Sequence, residues 1–150
     1  MQWTVGATAG FSTAEPARLV RPVITDGPYG CDRISVIRQR TDPDSLLTWF
    51  ERTLHTLREC PEVGENGCQV LESGDPAVLA HMFSGPSGAM LFLHNLGDSG
   101  SVVRIANQLD LTAPPTEMLA DQDYGVLDPA LPELRIGGYG YRWIRLRFNP

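Results

Sequence analysis

Basic charge gathers nowhere in this chain. The formal net charge of the 150 residues is −6, and Arg135, Arg142, Arg145 and Arg147 are spaced along predicted strands rather than massed. An acidic chain without a basic cluster has no electrostatic footprint for nucleic acid or an anionic membrane surface. Long apolar runs are missing too: a run such as Met90–Leu93 is far too short to span a bilayer. The first residues lack a charged region followed by an apolar core, so no secretion signal is expected. Cysteine is scarce. Cys31, Cys60 and Cys68 are odd in number, form no CxxC pair and show no Cys/His zinc spacing. They read as free thiols in a reducing compartment, which makes a cytoplasmic location the expectation; the alternative is an intermolecular disulfide. Repeats and low-complexity tracts are likewise absent. Nothing in the pattern implies a metal or a cofactor, and none is expected.

What is present is the balance of a globular protein, with 42% hydrophobic and 20% charged residues. The 15 glycines and 12 prolines predict a turn-rich chain with short strands. The strongest local signal is DPDSLLTWFERTLHTLRECP, residues 42–61. Leu46, Trp49, Phe50, Leu54 and Leu57 recur at three- and four-residue spacing, which places them on one face of an α-helix. Asp42 is the expected N-cap, Pro43 suits the first turn, and Pro61 stops the helix. The apolar face needs a partner surface, and nothing upstream looks able to supply it.

Residues 1–40 show little periodicity, apart from a short extended piece expected around Ile34, Val36 and Ile37. So long an irregular stretch is unusual inside a compact domain and is normally draped over something. After the helix the period changes to two. Strands are predicted near Cys68–Glu72, Ala77–Phe83, Ala89–Asn95, Ser101–Gln108, Glu117–Ala120, Leu134–Ile136 and Tyr139–Arg147, with Gly, Pro and Asp in the linkers. Evenly spaced strands of this kind describe an antiparallel sandwich. In the last strand Tyr141 and Trp143 share one face, and Ile144 and Leu146 the other, so it should be interior or closing.

Several motifs invite chemistry, and each has a plainer reading. Gly97-Asp98-Ser99-Gly100 matches the nucleophile motif of chymotrypsin-like proteases, but a nucleophilic Ser needs a base and an orienting acid. No histidine sits in that family's context, and a hairpin turn accounts for the four residues. Asp42/Asp44 and Asp121/Asp123 are carboxylate pairs, yet a glycosidase pair must flank a bond about 5–10 Å apart, which sequence neighbours in turns rarely do. His55, His81 and His94 lack metal-ligand spacing; the last two are expected as hydrogen-bonded structural histidines within strands. Gly137-Gly138-Tyr139-Gly140 lacks the Lys and helix of a phosphate loop and reads as a turn into the last strand. Trp49 and Trp143 fall on core faces. Trp3 lies in the irregular segment and is the better candidate for a ligand-facing aromatic.

Taken together, Met1-Gln2-Trp3-Thr4, Ala9-Gly10-Phe11-Ser12, Pro22-Val23-Ile24, Asp26 to Gly30, Val36, Gln39, Asp42 to Trp49, Asp75 to Ala80, His94-Asn95-Leu96 and Gly140 to Leu146 resemble, in order, the end of an α-amylase-superfamily enzyme (glycoside hydrolase family 13). The match is nearest to the trehalose synthase, or maltose α-D-glucosyltransferase, branch, with the oligo-1,6-glucosidases close by. Departures include Thr8 where the family usually has Asn, Cys31 and Ser35-Val36 where relatives tend to have Tyr and Asn-Val, and a poor match over Asn107–Pro132.

The resemblance implies a mainly β fold: a C-terminal antiparallel β-sandwich preceded by an irregular segment and one α-helix from the end of a (β/α)8 barrel. Residues 1–61 would be the remnant of the barrel and 62–150 the sandwich domain. The family's catalytic Asp, Glu and second Asp lie upstream of the Met-Gln-Trp segment, so no catalytic residue carries over. Gln2 and Trp3 match a segment near the active-site side of the barrel and are the substrate-binding candidates. An intact relative would interconvert maltose and trehalose through a glucosyl-enzyme. The implied partners are the missing barrel portion, or a chain supplying it, and an α-glucoside such as maltose or trehalose in the intact enzyme. A free-standing α-glucan-binding module, or an interaction partner of a separate barrel chain, is the alternative.

Overall fold

The computed structural model describes residues 1–64, 67–86, 88–105, 111–131 and 133–148, without the side chain of residue 148. The chain divides into two compact units, Met1–His55 and Thr56–Pro150.

The first unit is held by hydrogen bonds more than by a core. Two 3₁₀ turns, Pro16–Arg18 and Gly27–Tyr29, punctuate an irregular path. The extended piece expected around Val36 is instead a short helix, α1 (Val36–Thr41). Period-two reasoning failed there because Ser35 pairs with Gln2 in an isolated parallel bridge and launches the helix directly, with Val36 N donating to Gln2 O at 2.8 Å. No residue of α1 is buried.

The main helix, α2 (Leu46–Arg58), starts later than Asp42. Asp42 precedes a proline, which disfavours helical dihedrals, and its carboxylate accepts from Asp44 N at 3.0 Å in a local turn. Ser45 caps in its place, its Oγ accepting from Thr48 N at 3.2 Å. Gln39 adds a second cap from α1, its Oε1 accepting from Leu47 N at 3.0 Å. At the other end Glu59 N and Cys60 N fall back on Thr56 O and Leu57 O, so the helix closes just before Pro61. Its predicted apolar face is open in part: Leu46 is 72% exposed, Phe50 52% and Leu54 42%, while Trp49 and Leu57 are half-buried.

The second unit carries the strands. A five-stranded antiparallel sheet has the order β1 (Cys68–Leu71), β2 (Val78–Gly85), β3 (Gly88–Asn95), β7 (Tyr141–Phe148), β5 (Leu111–Ala120). A two-stranded sheet pairs β4 (Ser101–Val103) with β6 (Leu134–Ile136). The expected strand at Ser101–Gln108 is thus short; its residues 106–108 lie outside the described residues. The one expected at Glu117–Ala120 is longer, beginning at Leu111. Gly97–Gly100 is not a hairpin: it carries the chain from β3 into the small sheet, because β4 pairs with β6 and not with β3.

Alternation along the strands builds two apolar clusters. Val78 and Ala80, Leu91 and Leu93, and Ile144 and Leu146 meet Val103, Leu134 and Ile136 of the small sheet, closed by Leu131. This is the face-to-face packing of a sandwich. On the opposite face Met90, Phe92 and Cys60 pack with Val63, Phe83, Met118 and Trp143. β7 is interior, as its two-sided apolar pattern requires, with β3 on one side and β5 on the other. One position on its inner face is charged. Arg142, 3% exposed, forks onto Glu117 at 2.9 and 2.5 Å, donates to Arg135 O and stacks over the Tyr124 ring. A buried charge is tolerable only when its donors are met in this way.

Candidate functional site

Gln2 and Trp3 are neighbours with opposite fates. The Gln2 side chain is buried, and its Nε2 donates to Ile24 O at 3.2 Å and Tyr29 O at 2.8 Å. One amide group therefore clamps two distant carbonyls of the irregular segment. Trp3 is 55% exposed. Its backbone is fixed on both sides: Trp3 N donates to Ala9 O at 2.9 Å, and Trp3 O accepts from Ile37 N at 3.1 Å. The turn at Ala9-Gly10 needs left-handed dihedrals, φ 46° and 76°. At Gly10 a Cβ would sit 2.8 Å from Thr4 Oγ1 and 3.0 Å from Trp3 Cβ, so only glycine fits. The result is an aromatic ring held out on a backbone hydrogen-bonded on both sides.

Beside Gln2 lies an open cavity of about 630 Å³. Gln2, Phe11, Val20, Ile24, Tyr29 and Ile34 are among its walls, and most of the lining is apolar. Trp3 is not part of it. The structure thus brings Gln2 to the cavity and leaves the Trp3 ring outside.

The carboxylate pairs serve turns. Asp42 closes the turn before α2 by accepting from Asp44 N. Asp121 Oδ1 accepts from Tyr124 OH and from Tyr141 N, both at 2.9 Å, and Asp123 Oδ1 accepts from Gly125 N at 2.8 Å. In the Gly97–Gly100 segment Ser99 Oγ donates only to its neighbour Asp98 at 3.1 Å. Asn95 ties this segment to the next turn, its Nδ2 donating to Ser99 O and Gly137 O. Among the described residues no three His, Cys, Asp or Glu side chains converge as a metal site would need, and no helix is long and apolar enough to cross a membrane.

The expectation that the strand histidines are hydrogen-bonded fails at His81. Its Nδ1 is buried without a partner, and the ring is held by stacking instead, 5.0 Å from Phe92 and 5.7 Å from His94. Burial pushes its pKa below the usual 6.5; burial, then His81 itself, does the same to His94. Burial raises the Cys60 thiol against the opposing pull of Arg145. A hydrogen bond from Ser101, with a second from Ala77 N, lowers Asp75. Arg145 lies at ion-pair distance from Glu62, Nε to Oε1 3.1 Å, but off the line of a hydrogen bond; its Nη2 reaches Glu62 Oε2 at 3.4 Å and the Glu59 carbonyl. Sequence reasoning gave no sign of these clamps, since Gln2, Arg142 and Arg145 meet partners more than twenty residues away.

No family model matches the chain. A trehalose synthase of Pimelobacter sp. (strain R48) is 31% identical over 154 residues, covering 97% of this chain and 26% of that protein. The trehalose synthase/amylase TreS of Mycobacterium tuberculosis (strain ATCC 25618 / H37Rv) is 30% identical over 149 residues, 97% of this chain and 25% of the other. Among solved structures, trehalose-6-phosphate hydrolase (TreA) of Bacillus licheniformis superposes with a TM-score of 0.71 at 16% identity, covering 98% of this chain and 25% of that one. The R284C mutant of trehalulose synthase MutB does so with a TM-score of 0.73 at 16% identity, over 97% and 24%. These likenesses show the fold, mainly antiparallel β. The chain spans about a quarter of the length of the curated relatives it matches.

Proposed function

We propose that this chain, similar to trehalose synthases along nearly its whole length and to about a quarter of theirs, is the C-terminal part of a trehalose-synthase-like enzyme of the α-amylase superfamily. Residues 1–61 are the remnant of the catalytic barrel, and 62–150 are a structural sandwich that braces it. The intact enzyme interconverts maltose and trehalose by intramolecular glucosyl transfer in the cytoplasm. The chain alone is inert, since the family's Asp nucleophile, Glu acid/base and second Asp all precede the Met-Gln-Trp segment. The partner is the barrel portion, in the same polypeptide or a separate chain.

One observation carries this reading. Large apolar side chains of the first unit lie open to solvent: Trp3, Phe11, Val20, Ile24, Tyr29, Leu46 and Phe50 are each more than half exposed. Monomeric proteins rarely leave so much apolar surface uncovered, and such surface marks an interface. Gln2 and Trp3 would then sit where the barrel and this segment meet, Gln2 fixing the loop and Trp3 offering its ring to an α-glucoside. As a free-standing α-glucan-binding module the sandwich would need a row of open aromatics. The row it has, Phe83, Phe92 and Trp143, is packed on itself.

The test is to incubate the purified chain with maltose. No trehalose should form. Trehalose above the level of a protein-free control would overturn the claim of inertness. Co-expression with a barrel segment from a relative should restore conversion, and Trp3→Ala in that complex should raise KM for maltose several-fold.

A further inference from the structure

We propose that the stacked His81–His94 pair is an acid-operated switch in the outer face of the large sheet: with both rings neutral the aromatic row is closed, and protonation of either ring opens it.

The row is built by register. His81 on β2 lies directly across from Phe92 on β3, and Phe92 from Trp143 on β7. His94 on β3 is the diagonal neighbour. His81 therefore stacks on both, parallel to Phe92 at 9° and to His94 at 13°, with Phe83 edge-on to it and Trp143 edge-on to Phe92. This face is the one that the small sheet does not cover. Its cohesion comes from neutral rings in contact, an arrangement that a cation disrupts.

Among the described residues no carboxylate draws either histidine toward its charged form. The groups of β1 on this face are Cys68 and Val70, which lie opposite Phe83 and His81. β5 contributes Met118 to the same cluster. β7 contributes Tyr141 beside His94, and Arg145 beside Met90. The segment after α2 contributes Cys60 and Glu62, and the Glu62 carboxylate is occupied by Arg145. A proton on His81 Nδ1 would be a buried donor without an acceptor. Two imidazolium rings 5.7 Å apart would also repel. Attraction of one cation to the Phe92 face offsets only part of this.

The sign follows. Both histidines have folded values below the ordinary 6.5. The unfolded chain takes up their protons first as pH falls, so their stabilisation is complete above about 6.5 and is lost below it, through the lower folded values. The device lies wholly within the second unit and stands whether or not a barrel is supplied.

The experiment is a proton–carbon NMR titration of the imidazole Cε1 groups in the full chain, with His81→Phe and His94→Phe for assignment. A parallel series measures urea midpoints from pH 8 to pH 5. His81 and His94 should titrate below 6.5, and the wild-type midpoint should fall across that window. The double variant, which keeps the stack but cannot protonate it, should lose less than half as much midpoint. Titration of both rings at or above 6.5 would overturn the proposal, as would equal losses in wild type and double variant. Should the double variant not fold, the wild-type titration decides alone.

Discussion

The two units bury apolar side chains in opposite ways. In Met1–His55 the buried apolar residues are Ala9 and Cys31, while Val20 stands fully exposed and Leu46 is 72% exposed. In Thr56–Pro150 Met90, Leu91, Leu93, Leu134, Ile144 and Leu146 are all sealed. One unit is held by polar clamps along an irregular backbone, the other by a two-sheet core. Hydrogen bonds contribute little net stability when water can replace them, whereas burying a Leu or Ile contributes roughly 1.5–3 kcal/mol. The second unit should therefore fold for itself, and the first should depend on surface supplied from elsewhere.

Cutting the chain near the boundary is the largest test of that difference. A peptide of residues 1–55 should show no cooperative unfolding transition and amide exchange near the unprotected limit, since short lone helices are marginal in water. A piece spanning 56–150 should unfold cooperatively, with its strongest protection in β3 and β7. Strong protection across residues 1–40 of the isolated peptide would erase the contrast.

Next in size is the charged pair on the inner face of β7. Arg142 is 3% exposed and its bidentate partner Glu117 only partly accessible. Arg142→Ala strands a carboxylate beside apolar neighbours and empties the space over Tyr124; breaking such a pair typically costs about 3–5 kcal/mol. Arg142→Met, which keeps volume and removes charge, should cost less when combined with Glu117→Gln. Urea midpoints of the three variants decide it. A loss under about 1 kcal/mol for Arg142→Ala would mean the pair is solvated after all.

The contrast between the units also separates what could be read in the sequence from what could not. The change to period two after α2 located β1, β2, β3, β6 and β7; alternation shows in the burial of β6, whereas β3 is buried on both faces. Strand β7 could even be placed inside the sheet, since Trp143 and Ile144 are both apolar but point to opposite faces. Where the chain obeys no period, prediction failed. The helix at Val36–Thr41 is set by a bridge from Ser35 back to Gln2, and the start of α2 by Ser45 and Gln39 rather than Asp42. The clamp by Gln2 on Ile24 and Tyr29 spans more than twenty residues and leaves no local trace. Gln2 and Trp3 were legible as candidates only through resemblance. That one is sunk as a clamp and the other held out as a ring depends on non-local backbone bonds.

Glycines sharpen the comparison at intermediate cost. Gly138 sits so close to Asp98 that a Cβ would run into its carbonyl oxygen, within the turn Asn95 organises. Gly138→Ala should destabilise the second unit by about 1–3 kcal/mol, as strained turns do. Gly10→Ala meets Thr4 and a φ of 76°. It should leave the global urea midpoint unchanged while loosening the Trp3 turn, seen as a red shift and stronger quenching of Trp3 emission in a variant lacking Trp49 and Trp143.

Phe50→Ser has a small expected effect in the lone chain and is the most informative. Phe50 is 52% exposed on the open face of α2, whereas Leu93 is fully buried between the sheets. Leu93→Ala should cost about 2–5 kcal/mol through lost transfer energy and a residual cavity. Phe50→Ser in the same chain should stay within about 0.5 kcal/mol, the range of ordinary surface changes, and should raise solubility by shrinking an apolar patch. The ranking should shift once a barrel segment is present: Phe50→Ser would then weaken the complex because its ring has somewhere to go. A residue that is silent alone and costly in the complex belongs to an interface. If Phe50→Ser instead destabilises the lone chain as much as Leu93→Ala, the face is already packed, and the first unit needs no partner to complete it.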